Sequence, residues 1–115
     1  MYLINFSGHP IKGADADPLV GVNLPLNDGD QLVAAIQREV RALPMFNELA
    51  AGQIAEIVLP GMAPAAAAVL AVWQGAFGSL PTIRYMVRGK EGFTFLPGTI
   101  IDLAVVRTAA RTMRR

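Results

Sequence analysis

Apolar positions along this chain alternate between short runs of β character and longer stretches with helical spacing. The first run, Tyr2 to Phe6, predicts a strand over 2–7 that stops abruptly at Ser7-Gly8-His9-Pro10. Residues 8–18 carry Gly8, Pro10, Gly13 and Pro18 together with Asp15 and Asp17, a turn-rich composition without helical periodicity. Val20 to Leu24 predicts a second short strand ending at Pro25. Asn27-Asp28-Gly29-Asp30 then supplies a turn and an N-cap for a helix over about 31–43, whose Leu32, Ile36, Val40 and Leu43 recur at spacings of three and four. Pro44 ends it, and 45–52 predicts a short helical turn closed by Gly52.

Ile54 to Leu59 predicts a third strand, cut off at Pro60-Gly61. Met62 to Phe77 follows as a helix with Pro64 near its start, where a helix tolerates proline. Its only side-chain hydrogen-bonding groups are Gln74 and the Trp73 indole N–H. A helix apolar all round is expected to be buried all round, with the sheet on one side and a second subunit on the other. Ile83 to Val87 predicts a fourth strand, and Gly89-Lys90-Glu91-Gly92 a hairpin turn into an antiparallel edge strand at Phe93-Thr94-Phe95. Pro97-Gly98-Thr99 is expected to start the last helix, over about 99–113, with Ile100, Leu103, Ala104, Val106 and Ala110 packing inward. The alternation implies one compact Rossmann-like α/β domain over 1–115: a mainly parallel sheet of four to five strands with helices on both faces.

Composition narrows the chemistry. The 115 residues are 53% hydrophobic and 17% charged, which fits a folded domain with apolar surface left for another subunit. No cysteine is present, so a thiol nucleophile, a disulfide scaffold and a cysteine zinc site are excluded. With a single histidine, no all-protein transition-metal site and no cofactor are expected. The absence of a basic-then-apolar opening predicts a cytoplasmic location, and the Ala-rich 62–77 stretch, without basic flanks, predicts no membrane span. The net charge of +1 hides an imbalance: residues 1–83 carry three basic and seven acidic side chains, residues 84–115 seven basic and two acidic. Arg84, Arg88, Lys90 and the arginines of the last helix could therefore form an anion-attracting surface, although cations at a helix end also suit its dipole.

In a sheet of this kind, ligands bind outside the carboxyl ends of the strands. Those ends carry Ser7-Gly8-His9, Asn27-Asp28, Pro60-Gly61-Met62 and Arg88-Gly89-Lys90. Gly8, Gly61 and Gly89 permit close backbone approach, and the start of the 62–77 helix aims N–H groups at the same edge, which suits a phosphate. His9 could bind phosphate, stack on a base or move a proton, and each of these residues also has an ordinary turn or core explanation. No G-x-S-x-G elbow, P-loop or G-x-G-x-x-G fingerprint occurs. The four aspartates between 15 and 30 lack the pattern of a calcium loop.

Four segments together resemble a known family. INFSGHP, LPGMAPAAAAVLAVWQGAFG, LPTIRYMVRG and IIDLAVVRTAARTMRR are similar to the Csx-fifteen family of type III CRISPR-associated ancillary proteins, over about two thirds of the chain. The resemblance implies a CARF-like Rossmann domain, dimeric, with a cyclic oligoadenylate lying across the two-fold axis. It carries Ser7, Gly8, His9 and Pro10, and Pro60, Gly61 and Met62, into the site. The short 8–18 loop departs from the helix that relatives have there. The expected function is to bind cyclic oligoadenylate, of four adenylates, and lower its free level by sequestration, with Arg88 and Lys90 neutralising phosphate. Two other readings stand beside it. One is a metal-independent ring nuclease in which a 2′-hydroxyl attacks its own phosphate, assisted by His9 or Lys90. The other is a subunit-interaction module without a small ligand. Duplex DNA is not an expected partner, because the basic residues are few; a homodimer, or a higher assembly of it, is.

Overall fold

The computed structural model describes residues 2–8, 19–21, 24–25, 27–90 and 92–114. His9, Pro10 and the rest of the 8–18 loop beyond Gly8 lie outside the described residues, and so does Glu91 of the hairpin turn. The chain runs β1 (Tyr2–Asn5), β2 (Leu19–Gly21), α1 (Gly29–Arg41), α2 (Phe46–Ala50), β3 (Ala55–Val58), α3 (Ala63–Phe77), β4 (Thr82–Gly89), β5 (Gly92–Asp102) and α4 (Leu103–Arg111), with a 3-10 turn at Thr112–Arg114. The cap expected near residues 27–30 is Asp28, whose Oδ1 accepts the Gln31 N–H at 3.0 Å. Arg38 and Arg41 occupy the last turn of α1, where the helix dipole favours cations. α3 carries Pro64 in its first turn and ends on Gly78, whose φ of 74° supplies the left-handed C-cap.

The strand order is β2-β1-β3-β4-β5. β1 pairs parallel with β2 and β3, β3 pairs parallel with β4, and β4 pairs antiparallel with β5. The sheet is therefore mixed rather than mainly parallel, because β5, the longest strand, pairs antiparallel with β4 through Gly92–Phe95 and again through Ile100–Asp102, with a register shift between the two stretches. β5 also corrects the last helix. Residues 99–102 are strand, with Ile100 opposite Arg84 and Ile101 opposite Ile83. The β-branched run Thr99-Ile100-Ile101 suits a pleated strand better than a first helical turn. The helix begins only where Asp102 accepts the N–H groups of Ala104 and Val105.

One face of the sheet holds the core. Ile4, Phe6, Ala55 and Ile57 meet Leu32, Ile36 and Val40 of α1, Leu49 of α2 and Ala65, Val69 and Trp73 of α3 in one cluster. Among the described residues, α1, α2 and α3 gather on this face. α4 has no buried residue: Leu103 is half-buried, and Ala104, Val106 and Ala110, like Ile100 of β5, are exposed rather than packed inward as their spacing suggested. In α3, Ala65, Val69 and Trp73 are buried toward the sheet, as expected of one side of the helix, while Ala67, Ala71 and Gly75 are exposed in the single chain, on the side expected to meet a second subunit. Among the described residues, no helix is long and apolar enough to cross a membrane.

Candidate functional site

The strand order locates the site. From β1 the chain goes to β2 on one side, and β3 lies on the other. β1 therefore leads to β2 on one side and β3 to β4 on the other, and the carboxyl ends of the strands at such a reversal of order form the usual ligand crevice of open α/β sheets. Ser7-Gly8 leaves β1 at this point, and Pro60-Gly61-Met62 leaves β3 beside it. The ladder continues past the strands through the Phe6 N–H donating to the Val58 carbonyl at 2.9 Å, so the two loops stay together. Five of the residues expected from sequence, Ser7, Gly8, Pro60, Gly61 and Met62, are thereby brought to one edge.

The glycines there differ in kind. Gly8 has φ 76°, a conformation that needs glycine whatever lies nearby. Gly89 belongs to the β4–β5 hairpin, opposite Gly92, and a Cβ on it would make only ordinary contact with the Gly92 carbonyl at 3.7 Å. Gly61 has neither reason: its φ is not in the left-handed region, and a Cβ there would meet nothing within 4 Å. The fold does not require glycine at 61. Pro60 beside it is buried, and Met62 is 40% exposed.

Met62 is also the N-cap of α3, in extended conformation and without a side-chain cap. Helical bonding starts with the Ala66 N–H donating to the Met62 carbonyl at 3.0 Å, which leaves the N–H groups of Ala63 and Ala65 without a helical acceptor. Pro64 has no N–H. Ala65 is fully buried, so the exposed Ala63 N–H and the positive end of a helix of 15 residues are what lie at this edge.

Arg88 and Lys90 are exposed at the same end of the sheet but stand beyond the crevice. The register aligns Ile57 with Ile83. Carried forward, it sets Met86 level with Pro60 and places Arg88 about 7 Å further along the strand. The two cations thus ride on a projecting hairpin. Arg84 does not join them: its Nη1 lies 3.7 Å from Glu56 Oε2, and its guanidinium stacks 4.4 Å from the centre of the Phe95 ring. The arginines of α4 lie at the opposite end, because Asp102 pairs with Thr82 at the start of β4. The basic residues of the C-terminal third do not form one surface.

Two polar residues that the sequence reading passed over shape the site's second side. Asn5 and Glu56 point away from the helices and are buried. Asn5 Oδ1 accepts both the Ser7 N–H at 2.9 Å and the Ser7 hydroxyl at 2.5 Å, so the carboxamide fixes the turn that leaves β1. Among the described residues, Glu56 Oε2 is buried with no hydrogen-bond partner and is balanced by Arg84. The signal for both was a polar residue inside an otherwise apolar run, YLINF and IAEIVL, where strands covered on both faces are normally apolar throughout.

No cluster of three or more His, Cys, Asp or Glu able to hold a metal ion occurs among the described residues. Compared with family models, curated proteins and solved structures, the chain matches none.

Proposed function

We infer that this chain is a Rossmann-like domain that binds a phosphate-bearing nucleotide across the carboxyl ends of β1 and β3. The observation that supports this best is Gly61: a glycine the backbone does not need, beside an uncapped helix start, where the strand order reverses. A phosphate there accepts from the Ala63 N–H at the start of α3, and the absent Cβ of Gly61 lets it approach the backbone. The sequence resemblance makes the nucleotide a cyclic oligoadenylate of type III CRISPR immunity, with cyclic tetra-adenylate the first to test. Holding is favoured over cutting. Lys90, a candidate for assisting ring cleavage, stands on the hairpin beyond the crevice, and the Ser7 hydroxyl proton is directed at Asn5.

Isothermal titration with cyclic tetra-adenylate is expected to give heat at micromolar concentration, and its absence would end the cyclic-nucleotide reading. Ligand recovered after denaturing the complex is expected to be an intact ring; linear product would make the chain a nuclease. Gly61→Ala sharpens the location. Its methyl group enters space empty of protein, so thermal stability should stay within about 0.5 kcal/mol of the parent. Nucleotide affinity should fall by about tenfold or more, because the methyl group occupies the path of the ligand. A variant that binds as tightly as the parent would move the ligand away from this edge.

A further inference from the structure

We propose that α4 is a docking helix for an anionic lipid surface, on which it lies flat without crossing. The segment from Leu103 to Arg115 contains four arginines and no acid. The nucleotide site uses none of them. The helix dipole accounts for Arg111 in the last turn but not for Arg107 in the middle. Among the described residues, Arg107, Arg111 and Arg114 form no ion pair. Asp102, the acid nearest to them in the chain, is engaged in capping Ala104 and Val105.

The apolar side chains stand on a different side of the helix from the arginines. At about 100° per residue, Val105, Val106, Ala109, Ala110 and Met113 fan across about 140° of the circumference. Arg107, Arg111 and Arg114 cluster within about 60° on the other side. Val105 is 63% exposed, Val106 51% and Met113 83%. α4 buries no residue, so this apolar face is open to solvent.

Charge and shape together select the occupant. A broad apolar face backed by basic residues is the make-up of helices that lie in the headgroup region of a bilayer, with the apolar side down and the cations drawn to acidic lipids. A nucleic acid strand answers the arginines but leaves Val105, Val106 and Met113 in water. The seam that a partner helix covers is narrower than this face. With its 3-10 turn, α4 is about 20 Å long, too short to cross a hydrocarbon core ~30 Å thick, so it lies along the surface. Asp102 pairs with Thr82 at the start of β4, which puts α4 at the end of the sheet away from the crevice. Docking leaves the crevice open, and nothing in this inference depends on a nucleotide.

The test floats the full chain with vesicles of phosphatidylcholine alone, or of phosphatidylcholine mixed equally with phosphatidylglycerol. Binding is expected only to the mixed vesicles, with half of the protein bound at about 1 mM lipid, and it should weaken as salt screens the surface. Each arginine near an acidic surface contributes about fivefold, so Arg107→Gln combined with Arg111→Gln should weaken binding about 25-fold. Val106→Asp and Met113→Asp, at exposed positions, should each weaken it about tenfold while the circular dichroism spectrum and melting temperature hold. Amides from Leu103 to Arg114 should exchange with deuterium more slowly on the mixed vesicles. No binding to the mixed vesicles would overturn the proposal, as would binding indifferent to Val106→Asp and Met113→Asp, since charge alone would then hold the chain. A poly-uridylate strand held in preference to the vesicles would overturn it in favour of a nucleic acid.

Discussion

Trp73→Ala is expected to destabilise the chain by about 4 kcal/mol, the upper part of the range for truncating a large core side chain. Trp73 is 3% exposed. It meets Phe77 edge-on at 4.7 Å, and Phe77 in turn meets Phe46 at 5.3 Å, so one aromatic chain ties α3 to the start of α2. Two features place the loss high in the range. The indole is the largest side chain of the core cluster it shares with Ala55 and Ile57 of the sheet, so its removal leaves a large cavity. Its far side borders a cleft of about 250 Å³ lined by Ile54, Leu80, Pro81 and Thr82, so truncation joins the new cavity to solvent. For a domain of this size the melting temperature should fall by about 15 °C. Thermal unfolding followed by circular dichroism reads the effect directly. A fall below about 5 °C would mean that α3 is held to the sheet by something other than Trp73.

Arg84→Met should cost about 2 kcal/mol, between the ~0–1 of an exposed ion pair and the ~3–5 of breaking a fully buried one. The intermediate value follows from the geometry. The Glu56 side chain is 11% exposed and the Arg84 side chain 29%, so the acid is nearly dry while the base still reaches water. At 3.7 Å the contact is an ion pair rather than a hydrogen bond, and among the described residues Glu56 Oε2 has no hydrogen-bond partner. Removing the guanidinium leaves a carboxylate with poor solvation on the second face of the sheet and strips the cation from the Phe95 ring. Pairing the change with Glu56→Gln should recover about half of the loss, because the neutral amide no longer needs a counter-charge. Urea denaturation of the two single variants and the double variant measures this coupling. Additive losses would show that the two groups do not act as a pair.

The contrast between α1 and β5 shows which parts of the fold could be read along the chain. α1 was legible because its information is local: a capping aspartate, apolar residues at helical spacing and basic residues in the last turn all agree. Pro97-Gly98-Thr99 carries a local helix-start signal of similar strength, yet the chain there is strand. Pairing with β4 from Gly89 onward, a tertiary contact absent from the local sequence, outweighs it. The site divides in the same way. Ser7-Gly8 and Pro60-Gly61-Met62 follow from where apolar runs stop, so their place at strand ends was readable. The partnership of Glu56 with Arg84 was not, since it depends on β3 and β4 lying side by side in one register. For the same reason Arg84 could be grouped with Arg88 and Lys90 by sequence but not by space.

α4 buries none of its residues, and its main contacts with the body are to β4 and β5. A helix of nine residues is shorter than the ~12–15 at which isolated helices become even marginal in water, and packing adds little to it here. Its amides should therefore exchange with deuterium by local opening, at rates near those of a free peptide, while the amides of Ile4, Ile36 and Ile57 exchange only when the whole domain unfolds. The molecule then has two stabilities rather than one. Conditions that melt the segment from Leu103 to Arg111 leave the β1–β3 crevice, at the far end of the sheet, intact.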